Sequence, residues 1–339
     1  MRIALLLAAA LAITAPALAA EPMAATTQLG WLRIGEYAPI LVADAKGYFT
    51  EEGIAHRIAD GGPGKNPIPI VAVGQAQFGM VTSGLYLISA RTARDPVDVV
   101  AVGTLFQSSP SSYFKLANPG DPPARPKDLE GHSAGMTPES EYLLRILARK
   151  NGVDMSKVKI MRVGANAEPL MVGQVDFFNG WIVNQTYQVE QEAAKPDAPA
   201  NLKGKTWRAI VMSDWGMPSY ADVIVASGKT IRENPELVRH YLRAVARGMR
   251  FIIDHPDEAV DVVAKYPGQI EDAKKLAWRF KLQNPLLASD DTKAHGLLWM
   301  NPVVWQQMGD ALKESDQIAA VPPISEIMTD QFIAGPDLK

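Results

Sequence analysis

The 339-residue chain contains no cysteine. That excludes thiolate catalysis, cysteine-ligated zinc and iron–sulfur clusters. It also leaves an exported chain without disulfide staples, so a large core must hold the fold. Neither sign of charge is in surplus: 34 Lys and Arg stand against 37 Asp and Glu, for a net charge of −3 and a pI near 6.0. No basic face for nucleic acid or an anionic membrane is implied. After the opening residues there is no apolar run of the roughly 18 residues that a membrane span needs. The histidines, His56, His132, His240, His255 and His295, form no H-x-x-x-H or H-E-x-x-H metal pair. His255 with Glu258 is an i, i+3 pair typical of a solvated face. The Gly-x-Ser-x-Gly elbow of α/β-hydrolases is missing, and no internal repeat or low-complexity tract stands out. No catalytic group, metal site or cofactor is expected.

What is present begins with MRIALLLAAALAITAPALAA. Arg2 makes a minimal positive region, Ile3 to about Ile13 an apolar core, and Ala17-Leu18-Ala19 a small-x-small cleavage pattern. Residues 1–20 read as a secretory signal, cut after Ala19 or Ala20; an N-terminal membrane anchor is the competing reading. Loss of Arg2 would take the charge from −3 to −4. With no cysteine to carry a lipid, the mature protein is expected to be exported and soluble, and the resemblance given below implies the periplasm. Its composition, 47% hydrophobic and 21% charged, is that of an ordinary globular chain with enough length for two lobes.

The pattern predicts strands over 29–35, 55–58, 78–82 and 97–106, alternating with helices over 39–47, 67–74 and 84–94. A connection rich in Pro, Gly and Asp follows from Leu116 to Lys127, suggesting a crossing between lobes. A second α/β run then places strands over 132–136, 158–163, 175–183 and 207–212, and helices over 138–150, 165–173 and 185–192. Ser213–Pro218 suggests a second crossing, followed by a strand over 221–227. Helices are predicted over 234–254, 256–265, 269–283 and 302–315. The expected fold class is α/β: two lobes, each a mostly parallel sheet flanked by helices, joined by two hinge crossings. The expected division is residues 27–112 plus 217–339 as one lobe and 113–216 as the other. In such sheets ligands bind beyond the carboxyl ends of the strands, beside helix N-termini.

The segment Gly61-Gly62-Pro63-Gly64-Lys65-Asn66-Pro67 superficially suggests a phosphate loop. It fails the G-x-x-x-x-G-K-[ST] pattern, because Asn66 stands where the metal-binding hydroxyl belongs and Ala59 where the first Gly belongs. The dinucleotide fingerprint fails at Pro67. Two readings remain: a loop whose bare backbone admits a small ligand, or a plain tight turn.

Glu36-Tyr37-Ala38-Pro39-Ile40-Leu41-Val42-Ala43-Asp44-Ala45-Lys46-Gly47-Tyr48-Phe49-Thr50-Glu51-Glu52-Gly53-Ile54 resembles the opening of the periplasmic solute-binding proteins of ABC importers. The branch is the NMT1/THI5-like one, which includes binders of thiamine-pyrimidine precursors, sulfonates, taurine and nitrate. Val73-Gly74-Gln75-Ala76-Gln77-Phe78-Gly79 is similar to that family's segment before the third strand, and Asp176–Trp181 with Asn184-Gln185 to its second-lobe segment. The likeness covers about Leu29 to Asp316 and is specific to fold and branch, not to a ligand. It implies a type II periplasmic binding fold that closes on a solute and delivers it to an inner-membrane ABC permease, with a monomer the usual state. A relative that builds the thiamine pyrimidine enzymatically relies on a cysteine-rich segment, which this chain lacks. A ligand sensor for a membrane receptor is a further alternative.

Strand ends and helix starts give the candidate ligand residues: Glu36, Tyr37, Gly62, Pro63, Ser83, Gly84, Gln107, Ser108 and Ser109 in the first lobe; Thr137, Glu139, Asn179, Trp181, Asn184 and Trp215 in the second. Thr137 fits an N-cap with Pro138 after it, leaving N–H groups for an anion or carbonyl; self-capping by the hydroxyl is the bland alternative. Trp181 and Trp215 could stack on a flat heterocycle, or simply be core. Asn179 and Asn184 both donate and accept, as a pyrimidine edge requires. This set holds two carboxylates and no arginine, with Lys65 the nearby cation. That favours an aminopyrimidine or similar heterocycle over a sulfonate, taurine, nitrate or aromatic carboxylate, which would call for Arg, Lys or several helix N-termini.

Overall fold

The structure, a computed structural model, describes residues 21–336; the expected signal segment lies outside them. The first strand, β1, is Met23–Gln28, not the Leu29–Gly35 segment that hydrophobicity favoured. Its inward side chains are small because a neighbouring network fills the space. Thr27 touches the Tyr241 hydroxyl at 2.7 Å and His56 at 2.9 Å. Residues 29–34 instead leave the sheet as a loop. A Cβ on Gly30 would sit 2.4 Å from the Met80 carbonyl oxygen, so only glycine fits there.

β2 (Ile54–Ala59) and β3 (Phe78–Ser83) flank β1 in parallel. β4 (Val99–Phe106) is separated from β3 by β10 (Ala221–Ser227), which runs antiparallel to both. The first sheet therefore has the order β2-β1-β3-β10-β4. The chain enters the second sheet at β5 (Ser111–Ala117). The crossing thus precedes the Pro/Gly-rich stretch, which connects β5 to β6 (Ser133–Met136). β7 (Lys159–Arg162), β8 (Phe177–Trp181) and β9 (Thr206–Val211) complete an order of β7-β6-β8-β5-β9. In each sheet four strands point one way, and the strand contributed by the other half of the chain points against them.

The C-terminal helices cover the first sheet. The longest, Pro235–Asp254, buries Leu237, Val238, Tyr241, Leu242, Val245, Met249 and Ile252, the spacing of one helical face. It lies close against the Ala38–Ala45 helix, where a Cβ on Gly248 would come 2.1 Å from the Pro39 carbonyl oxygen. Among the described residues, no helix is long and apolar enough to cross a membrane, and no group of three His, Asp or Glu could hold a metal ion.

Candidate functional site

The carboxyl ends of β1, β3, β6 and β8 face one another across a cleft of about 630 Å³. Glu36, Gly62, Pro63 and Ser83 line it from the first lobe; Thr137, Glu139, Asn179, Trp181 and Asn184 line it from the second; Ser109 lies at the crossing. The other candidates stand outside this wall. Tyr37 is fully buried behind Glu36. Gly84 packs on Met308 and Trp305. Gln107 donates to the Trp299 carbonyl and accepts from Ser289. Ser108 is absent from the wall. Trp215 packs beside the core shared by β6 and the Glu141–Asn151 helix.

The Gly61–Gly64 loop is both a tight turn and part of the wall. Gly62 and Gly64 have φ of +147° and +76°, and the Lys65 N–H closes the turn on the Gly62 carbonyl at 3.0 Å. Gly61 is required because residues 29–31 press on it, with a would-be Cβ 2.4 Å from two carbonyl oxygens. Asn66 caps the following Pro67–Ala72 helix by accepting from the Ile68 N–H. Thr137 precedes a 3-10 turn, Pro138–Ser140, and its hydroxyl meets the Ser140 hydroxyl at 3.1 Å rather than a backbone N–H.

The wall also includes residues that sequence reading passed over. Trp31 lies on the loop mistaken for a strand, while Tyr86 and Tyr142 lie on helices, so the cleft is more aromatic than predicted. Burial pushes the Tyr142 phenol up to about 12, with the Ser83 hydroxyl of the opposite lobe beside it. Helical periodicity marked both tyrosines only as surface or core; nothing local distinguishes a residue that faces a second lobe. Trp181 meets Phe106 edge-on at a centroid distance of 5.7 Å, so it both lines the cleft and joins the lobes.

At the floor, Glu36 is 3% exposed. Burial pushes its carboxyl up to about 7, against the opposing pull of Arg279. Arg279 is fully buried and binds Glu271 through Nε and Nη2, while Nη2 also donates to Asn184 at 3.2 Å. Glu271 in turn accepts from the Gly35 N–H at 2.9 Å, and Gln283 donates to the Gly35 carbonyl. The Ala273–Gln283 helix thus holds the Gly35–Tyr37 turn in place and reaches across to the second lobe. Lys65 is the cation on the wall, which includes neither histidine nor arginine among the described residues.

Residues 35–259 match the family model described as NMT1/THI5 like. Several relatives share similar sequence. The riboflavin-binding protein RibY of Chloroflexus aurantiacus is 25% identical, covering 96% of this chain and 91% of its own length. A 4-amino-5-hydroxymethyl-2-methylpyrimidine phosphate synthase of Legionella pneumophila is 26% identical over 72% of this chain and 74% of that one. A formylaminopyrimidine-binding protein of Halalkalibacterium halodurans is 26% identical over 84% and 85%. Among solved structures, the periplasmic aliphatic sulphonate binding protein SsuA of Escherichia coli superposes with a TM-score of 0.66 at 16% identity, covering 94% of this chain and 96% of that one. That similarity shows a shared fold.

Proposed function

Since the chain belongs to the NMT1/THI5-like family, we propose that it is the extracytoplasmic solute-binding component of an ABC importer and captures a small planar nitrogen heterocycle between its lobes. The observation that carries the reading is the cleft: about 630 Å³, walled from both sides, and faced by Trp31, Trp181, Tyr86 and Tyr142. Ligand pockets run from about 300 to 1,000 Å³ and combine apolar faces with a few placed polar groups. Ring faces suit a flat ligand, and stacking adds about 1 kcal/mol beyond the area buried. Asn179, Asn184 and the Glu36 carboxyl supply the edge contacts. Closure would move one sheet and its helices against the other about the two crossings, and a permease would recognise the closed form.

An aminopyrimidine is the ligand we favour. The cleft volume and the near full-length match to a riboflavin-binding relative support a larger ring system as the second reading. A sulfonate fits less well, because Lys65 shares the wall with two carboxyl groups, Glu36 and Glu139. Synthase relatives make catalysis the competing class. The wall's lack of histidine, in a chain without cysteine, supports capture instead.

Mass spectrometry of small molecules released from gently purified protein tests the proposal. It should be paired with melting scans against 4-amino-5-hydroxymethyl-2-methylpyrimidine, riboflavin and an alkanesulfonate. A heterocycle present at 100 times its Kd should add about 2.7 kcal/mol of stability. Stabilisation by the sulfonate alone would overturn the ligand class, and steady conversion of a bound compound would overturn the binding role.

A further inference from the structure

Asp222 combines three costly features. It is fully buried, it adopts a left-handed φ of +49° without being glycine, and neither carboxyl oxygen has a standard hydrogen bond among the described residues. A left-handed backbone is costly for an L-residue, and an unpaired buried polar group costs more. Strain and unpaired polarity on one residue of a central strand point to function rather than packing.

Its neighbours show what that function could be. Asp222 stands on β10, within reach of the Glu36 carboxyl at the cleft floor. The groups facing Glu36 are Tyr37 on its own turn, Asp222 on β10, Glu271 on the loop before the Ala273–Gln283 helix, and Arg279 on that helix. Arg279 is already engaged by Glu271, and Lys275 also pairs with Glu271 at 2.8 Å. The Tyr37 hydroxyl lies beside Glu36 as a second donor to its carboxyl. Two adjacent buried carboxyl groups cannot both be ionised without a large cost. Burial and the Glu36 charge push Asp222 well above the ordinary carboxylate range.

Resting on the ligand-binding reading above, we propose that Asp222 is a positioning residue that stays in its neutral acid form and donates to Glu36, and that Glu36 shares a proton with the nitrogen edge of a heterocycle, making capture proton-linked. The edge it reads places an acceptor beside a donor: a ring nitrogen next to an exocyclic amine, or a carbonyl next to a ring N–H. A carboxylic acid offers the matching donor and acceptor, whereas a carboxylate only accepts. The complex therefore holds one proton between Glu36 and the ring. The free protein loses that proton as pH rises through neutrality.

The test is calorimetric titration between about pH 5.5 and 9, using 4-amino-5-hydroxymethyl-2-methylpyrimidine and riboflavin as separate arms. For whichever binds, Kd should weaken about tenfold per pH unit above neutrality, the slope of one linked proton. Glu36→Gln should flatten that slope. Asp222→Gly, which accepts the left-handed backbone but removes the donor, should move the onset upward; Asp222→Asn, which keeps a donor, should restore it. An unchanged onset in Asp222→Gly, or a downward shift in Asp222→Asn, would show that Asp222 does not act as a neutral donor and overturn the proposal. Binding with a pH-independent Kd in the wild type would overturn it while leaving the ligand reading intact. Failure of both heterocycles to bind would sink the ligand reading. The proposal then faces a ligand-free arm: the apo protein should lose stability as pH rises from near the unfolded value of 4.5 toward about 7, where burial places Glu36, and level off above it, and Glu36→Gln should lose less. Identical curves would overturn it.

Discussion

Asp44 shows how much one side chain can organise in a protein without disulfides. Its carboxylate accepts from His56 Nδ1 at 2.7 Å and from the Tyr266 hydroxyl. His56 continues the chain to Thr27 and Tyr241, with the Phe49 ring stacked on it at 3.8 Å. The Thr27–His56–Asp44 order mimics a catalytic relay, but Thr27 is fully buried and is not on the cleft wall. Partial burial pushes the Asp44 carboxyl up, while the His56 and Tyr266 hydrogen bonds outweigh this and hold it below the usual range. A lowered folded value means stability that is present above the unfolded value, near 3.9, and is lost as pH falls through the folded one. Asp44→Asn should therefore cost about 2 kcal/mol at pH 7, and progressively less as pH falls below the unfolded value, where the wild type is losing this contribution. Urea unfolding across that pH range checks the sign. At this scale, the sequence yielded residues whose place follows from a strand end or a helix start, such as Glu36, Ser83, Thr137 and Asn184. Asp222 and Arg279 were not legible. Their burial depends on two distant segments meeting, and composition alone marks a charged residue as exposed.

The Ala273–Gln283 helix was legible from its periodicity, though its start was not. Predicted from Gln269, it begins after Asp272, whose side chain caps the Lys275 N–H at 2.7 Å. The preceding residues are needed as a loop that turns Glu271 inward. Burial pushes the Glu271 carboxyl up, but the charges and hydrogen bonds of Arg279 and Lys275 hold it down. Removing one partner of a buried ion pair strands the other, at about 3–5 kcal/mol. Glu271→Ala should reach that range in denaturant unfolding, because Arg279 is fully buried. Glu271→Gln should cost less, since an amide oxygen still accepts from Gly35 N–H. Equal losses would mean that the charge, not the shape, holds the Gly35–Tyr37 turn. The strand misreading has a matching cause: Leu29–Gly35 is more apolar than Met23–Gln28, but Leu29 packs in the core, Trp31 lines the cleft and Leu32 is exposed, so they share no strand face.

The whole molecule is built from two halves of the chain that exchange a strand. Each half places four strands in its own sheet and lends one, β5 or β10, to the equivalent position in the other. The match extends to single bonds. The Gln77 side chain accepts from the Thr26 N–H, and the Gln77 N–H donates to the Thr26 carbonyl. Asp176 does both with Ser133. The turns before them, Val73-Gly74-Gln75 and Val172-Gly173-Gln174, have glycine φ values of +76° and +75°. A short repeat, Val-Gly-Gln followed by a Phe three residues on (Phe78, Phe177), thus lies in both halves and sequence reading passed over it, since the paired contact is carried by Gln77 in one half and Asp176 in the other.

The exchange leaves two crossings to bear the lobes, and the angle between them rests on side chains that meet without a ligand. Glu190 of the second lobe accepts from Trp207 at 2.8 Å and, across the gap, from Trp278 at 2.9 Å. Lys274 donates to Gln191 beside it. On the far side the lobes meet through Lys150–Glu314 and Arg149–Asp316, exposed pairs at 3.6 and 3.9 Å that contribute little. The half-buried Glu190 bridge and the Arg279–Asn184 contact should therefore carry most of the bias toward closure. A hydrogen bond to a charged group contributes about 1.5–3 kcal/mol, so losing the Trp278 contact should shift the closed-to-open ratio at least about tenfold. Trp278→Phe should increase the radius of gyration of the ligand-free protein in small-angle scattering and weaken ligand binding, while saturating ligand restores the wild-type profile. An unchanged ligand-free profile would mean that the crossings themselves, stiffened by the exchanged strands, set the angle between the lobes.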